Sequence, residues 1–340
     1  MINPAITKIE YFIPNNDFSA SKVLLKNNKD LSMIEKIIKK TGIDQKFKSE
    51  KNQYASDLAI LAINNLVKKH SFDLNKVDFV IFCNQTPDYI LPMSSSIIQN
   101  NIFKNKNDVG FVDISLGCSG YIYSLNIAHS LIKSGSYKKI LLVTSDTYSK
   151  IIDEKDNTNL AIFGDGASVS VIEHKDSNDE KNIFEFITGC DGSGLKDLYF
   201  PQSGLKHFEN KDANKGLIMN GTNVFSFTIK EVPNNIKDCL KKNNLTDLDI
   251  NYYILHQANK FILETLRDKL QISKDKFLID LRFGNTTSST IPIAIYNLIK
   301  DKKVSALDKL LLCGFGVGLS WGSTIIKLND DLINSIKRVN

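Results

Sequence analysis

Asp113-Ile114-Ser115-Leu116-Gly117-Cys118 and Asp280-Leu281-Arg282-Phe283-Gly284-Asn285 stand 167 residues apart, and each opens a stretch that closes on Leu-Ile-Lys, at 131–133 and at 298–300. Five positions are identical: the Asp, the Gly and the closing triplet. In both copies an apolar run ends at a Gly, a polar residue follows, a segment of helical periodicity comes next, and a second apolar run succeeds it, Lys139–Val143 in one copy and Lys309–Leu312 in the other. A repeat far longer than the roughly 20–50 residues of a solenoid unit predicts a duplicated fold. It sets Cys118 and Asn285 at equivalent strand-to-helix corners, which a pseudo-two-fold axis can bring to one site.

Outward from the repeat, short β-type runs alternate with helical segments. The strands expected are Val77–Cys83, Val109–Ile114, Lys139–Val143 and Ser168–Glu173, then Asn251–Leu255, Phe277–Ile279, Lys309–Leu312 and Ser323–Leu328. Ser119–Lys133 and Thr287–Lys300 read as buried helices and Ser56–Lys69 as an amphipathic one, with Leu58, Leu61, Ala62 and Leu66 on one face. This alternation is that of an α/β fold. The halves are placed at 1–178 and 179–340, with the boundary in the polar stretch Lys175–Asn182; Asp153–Asn159 and Asp191–Gly216 read as loops.

Composition narrows the function. The 340 residues are 42% hydrophobic and 24% charged, as in an ordinary globular chain, with 43 Lys and Arg against 38 Asp and Glu. Only Arg267, Arg282 and Arg338 are arginines, so the basic excess lacks the forked donors that read phosphates and bases, and nucleic acid is not an expected partner. Lysine point charges still suit an acidic protein partner. Cys83, Cys118, Cys190, Cys239 and Cys313 form no CxxC pair and have no histidine at metal-ligand spacing, which indicates a reducing compartment and no metal site. No basic leader opens the chain and no apolar run is long enough to span a membrane, so a cytoplasmic protein is expected.

Cys118, in Gly117-Cys118-Ser119-Gly120, follows a strand and precedes a helix. Amides at a helix start lower a thiol's pKa and favour the nucleophilic thiolate; alternatively Cys118 is a small core residue. His256 directly follows Tyr252-Tyr253-Ile254-Leu255, at the strand end where open α/β sheets place their sites. Asn285 suits either a helix cap or a neutral donor to a thioester or enolate oxygen. The run Cys313-Gly314-Phe315-Gly316-Val317-Gly318-Leu319-Ser320-Trp321-Gly322-Ser323 is a glycine-rich turn between two strands, able to present backbone N–H groups to an oxyanion.

These segments, in this order, with Gly164-Asp165-Gly166-Ala167 and His256-Gln257-Ala258-Asn259, resemble β-ketoacyl-acyl-carrier-protein synthase III of the thiolase-like superfamily, over nearly the whole chain. The resemblance implies a duplicated α/β/α/β/α layered sandwich with two pseudo-symmetric halves, working as a cytoplasmic homodimer with acyl carrier protein in fatty-acid or polyketide synthesis. It implies Cys118 as the acylated nucleophile and His256 and Asn285 as the residues promoting decarboxylation of a malonyl thioester. The backbone N–H groups of Cys118 and Val317 would form the oxyanion hole. Ile162, Met219, Gly221, Phe225, Ala258 and Asn259 would line the pantetheine tunnel, Phe315 would lie near the nucleophile, and Leu91 would close an acyl pocket across the dimer. Substrates would be acyl-coenzyme A or acyl-carrier-protein thioesters, with no permanently bound cofactor.

Where relatives of this kind stack an adenine between a Trp and an Arg, Lys36–Ile43 has no aromatic ring and Asn157 takes the Arg position; Phe261 and Asp268 replace carrier-docking arginines. Two other readings keep the fold: an acyltransferase that passes the acyl group to an alcohol or amine, and a non-catalytic partner subunit. The retained Asn285 favours condensation over the first, and the retained Cys118 and His256 speak against the second. A papain-like protease has the same Cys, His, Asn order but not the duplicated pattern.

Overall fold

The structure, a computed structural model, describes residues 2–175, 181–207, 216–302 and 304–338. The half boundary at 178/179 lies outside the described residues, as does part of the loop Asp191–Gly216.

Two sheets carry the same strand order. In the first, Phe79–Cys83 runs parallel to Lys139–Asp146, which pairs antiparallel with Gly166–His174 and that in turn with Pro4–Phe12. In the second, Tyr252–Leu255 runs parallel to Lys309–Gly316, which pairs antiparallel with Ser320–Lys327 and that with Ile187–Cys190. The first sheet has a fifth strand, Gly110–Ile114, parallel to Phe79–Cys83.

Its counterpart in the second sheet, expected at Phe277–Ile279, is not a strand: a single parallel bridge joins Tyr253 to Phe277. Three residues on, the Asp280 amide donates to Gln257 Oε1 at 2.7 Å, and its carboxylate accepts from Arg282 and from Asn297. The ladder to Tyr253 is confined to the bonds at Lys276 and Leu278, and beyond them the chain bonds to side chains instead. Pro4–Phe12, an edge strand absent from the sequence reading, has Ala5, Ile6 and Ile9 buried.

Helices Gly120–Lys133 and Thr290–Asp301 lie between the two sheets. They are apolar because they are covered on both sides: Tyr121, Ile122, Leu125, Ile291 and Ile295 join one core with Ile81 and Leu142 of the first sheet and Ile254 and Leu312 of the second. Ala55–His70 covers the outer face of the first sheet through Leu58, Ala62 and Leu66. Gly221–Lys242 and Lys260–Leu270 cover that of the second through Val232, Ile236, Leu263 and Leu266. The result is the five-layer α/β/α/β/α sandwich, in which burying both faces of a mostly apolar sheet requires helices on each side.

Among the described residues no helix is long and apolar enough to cross a membrane.

Candidate active site

Cys118 is held between the first sheet and the hairpin of the second. Ser119, just before helix Gly120–Lys133, shares a 2.7 Å hydroxyl contact with Ser320, and Gly314 passes close to the Cys118 carbonyl and Ser119 Cα. At Gly316, φ is 157°, and a side chain there would meet Cys118 Cβ at 2.7 Å and Sγ at 3.0 Å. Only glycine lets the backbone run this close to the sulfur.

Burial pushes the Cys118 thiol up to about 12, the Asp146 carboxylate acts in the same direction, and the backbone amides of Cys118 and Val317 act against both. The lowered pKa expected from the helix start is therefore not what the folded chain has. A sulfur cut off from water loses more than the nearby dipoles return, and the first helix amide, of Gly120, is already bound to the Gly117 carbonyl at 2.7 Å. Forming the thiolate requires a neighbouring base.

His256 continues its strand by donating its backbone N–H to the Cys313 carbonyl at 2.8 Å. Burial lowers its ring to about 3, so it is neutral at physiological pH. Nδ1 lies 2.7 Å from the Thr290 hydroxyl, and that hydroxyl donates to the Thr287 carbonyl at 2.9 Å. A hydroxyl has one hydrogen. With it committed to Thr287, Thr290 accepts from Nδ1–H, leaving Nε2 with its lone pair free. The rings of Phe315 and His256 meet nearly at right angles, centroids 5.5 Å apart.

Asn285 is clipped to the first half: its N–H donates to the Ile162 carbonyl at 3.0 Å, and its carbonyl accepts from Gly164 N–H at 3.1 Å. Gly284, with φ 69°, makes the turn into this clip, and a side chain there would meet the Ile162 carbonyl and Lys46 Cβ. Asn285 Oδ1 accepts from Thr287 N–H at 2.9 Å. Asn285 is not a helix cap, since Thr286 and Ser289 hold the N-cap positions of the turn Thr287–Ser289 and of helix Thr290–Asp301; Oδ1 serves the turn backbone, and Nδ2 remains for the cavity.

Cys118, His256 and Asn285 all line one cavity of about 980 Å³. Its closed end is formed by these buried residues and Phe315, and exposed Lys40 and Lys155 mark its open end. Ile162, Met219, Gly221, Phe225, Ala258 and Asn259 line it as well. Asn259 also caps helix Lys260–Leu270 by accepting from Ile262 N–H at 3.0 Å. Val317 and Leu91 are not on the cavity lining; Val317 packs behind it with its amide toward Cys118, and Leu91 is 80% exposed on this chain.

Asn157 lines the open end, and Phe261 stacks on Phe225 at 5.3 Å with Lys40 over its ring at 5.0 Å. Sequence reasoning missed Thr287 and Thr290. Their signal was the run Thr286-Thr287-Ser288-Ser289-Thr290, five hydroxyls buried just before an apolar helix.

A family described as 3-oxoacyl-[acyl-carrier-protein] synthase III matches residues 112–192, and its C-terminal counterpart matches residues 240–328. Beta-ketoacyl-[acyl-carrier-protein] synthase III 2 of Staphylococcus epidermidis is 35% identical over 320 residues, 94% of each chain. The chain belongs to the 3-oxoacyl-[acyl-carrier-protein] synthase III family. The synthase III of Clostridium tetani is 36% identical over 318 residues, covering 88% of this chain and 93% of the relative. A solved 3-oxoacyl-(acyl-carrier-protein) synthase III superposes with a TM-score of 0.88 at 32% identity, covering 96% of this chain and all of the other. The layered sandwich described above is thus the synthase III fold, and the corners carrying Cys118 and Asn285 each fall within or beside a matched segment of it.

Proposed function

We propose that this synthase III chain is a condensing enzyme. It transfers an acyl group from a thioester to Cys118, then joins it to a malonyl group carried on acyl carrier protein, with loss of carbon dioxide. The single observation that carries the roles of the residues is that Cys118, His256 and Asn285 line the same closed end of one cavity. His256 and Asn285 each have one branch fixed and one left for the reaction.

In the first step the thiol proton passes to His256 Nε2. The Cys118 sulfur forms a bond to the acyl carbon, and the bond to the donor's sulfur breaks. The leaving sulfur recovers the proton. In the second step the malonyl carboxylate leaves as carbon dioxide and its electron pair forms an enolate, for whose oxygen the Asn285 Nδ2–H is a neutral donor. The enolate carbon bonds to the acyl carbonyl, whose developing oxyanion faces the amides of Cys118 and Val317. That intermediate collapses by breaking the bond to Cys118, whose thiolate takes up a proton from solvent. The product is a β-ketoacyl thioester two carbons longer than the acyl group.

Ile162, Met219, Gly221, Phe225, Ala258 and Asn259 fit the role of walls for a pantetheine arm, which is narrow and largely apolar. Lys40 and Lys155 at the open end suit its phosphate and an acidic carrier protein. The same reading takes the halves as 1–178 and 179–340, the enzyme as a cytoplasmic homodimer, and Leu91 as a residue offered to the partner's site; its exposure supports that.

The test is intact-protein mass spectrometry with acyl-coenzyme A and acyl-carrier-protein donors, followed by malonyl-carrier protein. An adduct on Cys118 that malonyl-carrier protein discharges into a β-ketoacyl product is the expected result. An adduct that only an alcohol or amine discharges would replace condensation by acyl transfer.

A further inference from the structure

We propose that Thr287 is the positioning residue of this site, holding His256 and Asn285 in one fixed arrangement, and that Asp146 anchors Thr287 from the first sheet; the inference rests on the condensing role above. Three groups of Thr287 have separate tasks. Its N–H donates to Asn285 Oδ1 at 2.9 Å, which turns the amide so that Nδ2 is left for the cavity. Its carbonyl accepts the Thr290 hydroxyl at 2.9 Å, which obliges His256 to donate from Nδ1. Its hydroxyl donates to the Asp146 carboxylate.

Thr287 has φ 53°, left-handed for a β-branched side chain. Such backbone is unfavourable and persists only where the surroundings hold it. Asp146 is what holds it. It ends strand Lys139–Asp146 and is fully buried. Oδ1 accepts from Gln85 N–H at 2.7 Å, Thr86 N–H at 3.1 Å and the Thr86 hydroxyl at 3.0 Å. The other oxygen is thereby aimed at Thr287. A charged acceptor outcompetes the Thr286 carbonyl, which lies 2.8 Å from the same hydroxyl. If the hydroxyl is lost, the backbone relaxes, and the N–H on Asn285 and the carbonyl on Thr290 rotate together, because they flank one residue.

The test compares wild type with Thr287→Ser, which keeps the hydroxyl, and Thr287→Val, which keeps the shape. In 15N NMR of histidine-labelled protein, with the His256 signals assigned by their loss in His256→Gln, wild type and Thr287→Ser show the Nδ1–H tautomer. Thr287→Val shows a mixture. With acetyl-coenzyme A and malonyl-carrier protein, Thr287→Val loses about 10- to 100-fold in kcat, the scale of a small misplacement of reacting groups, with KM for malonyl-carrier protein little changed. Thr287→Ser stays near wild type. An Nε2–H tautomer in wild type, or a folded Thr287→Val variant with the tautomer and kcat of Thr287→Ser, overturns the proposal. A wild-type protein with the expected tautomer but no condensation would instead count against the condensing role and leave the positioning role standing.

Discussion

The backbone of Gly316 passes Cys118 so closely that even a methyl group at Gly316 would lie 2.7 Å from Cys118 Cβ. Gly316→Ala therefore pushes the nucleophile out of place. Overpacking of this kind costs about 1–3 kcal/mol, and acylation of Cys118, followed by the mass of the adduct over time, should slow by at least about tenfold while the protein remains folded. Acylation at the wild-type rate would show that the close approach has no bearing on the sulfur.

The two equivalent corners have separable roles. Cys118→Ala should form no acyl adduct with any donor. Asn285→Ala should acylate near the wild-type rate but lose about 10²–10³-fold in the condensation step, the scale of removing one donor from a developing oxyanion. Normal condensation by Asn285→Ala would remove the enolate role assigned to it. Single-turnover mixing, acyl donor first and malonyl-carrier protein second, separates the steps.

His256 makes stability depend on pH. Its folded-state value of about 3 lies below the unfolded value of about 6.5, because burial disfavours the charged ring. As pH falls from about 6.5 toward 3, the unfolded chain takes up a proton that the folded chain refuses, and stability is lost across that window. Denaturant titrations at pH 7 and pH 5 should show a larger loss for wild type than for His256→Gln. His129, also lowered by burial, contributes equally to both proteins and cancels. Equal losses would mean that the ring is not buried in solution.

Lys46 gives the opposite end of the pH scale. It is fully buried, its Nζ donates to the Phe18 carbonyl at 2.5 Å and stands 3.8 Å above the Phe18 ring, and burial lowers it to about 7 despite the attraction of Asp165. Between about 7 and 10.5 the unfolded chain holds a proton that the folded chain has released, so stability rises with pH there. Raising the pH from 7 to 9 should therefore stabilise wild type relative to Lys46→Met. A parallel response of the two proteins would place the ammonium in water.

The repeat around Asp113 and Asp280 was legible because duplication leaves much the same order of elements twice; Cys118 stands two residues before its helix and His256 directly follows its strand, whereas Asn285 sits on a lone bridge to Phe163 ahead of the turn Thr287–Ser289. The rest depended on partners distant in sequence. Phe277–Ile279 has the composition of a strand, but Gln257 takes the Asp280 N–H that would have continued it. At Cys118 the local dipole of the helix start is outweighed by burial, which depends on distant parts of the chain. Thr287 and Asp146 are 141 residues apart, and a hydroxyl gives no sign in sequence of which carboxylate it will meet.

Cys118 and Asn285 each stand a few residues ahead of one of the apolar helices Gly120–Lys133 and Thr290–Asp301, which lie between the two sheets. Those helices act as a spacer of fixed thickness: their side chains set how far one corner stands from the other. A core substitution that thickens or thins this layer is expected to change the distance between Cys118 and Asn285 without touching either. The centre of this molecule, usually regarded as the part that merely keeps a protein folded, is thereby the gauge of its chemistry.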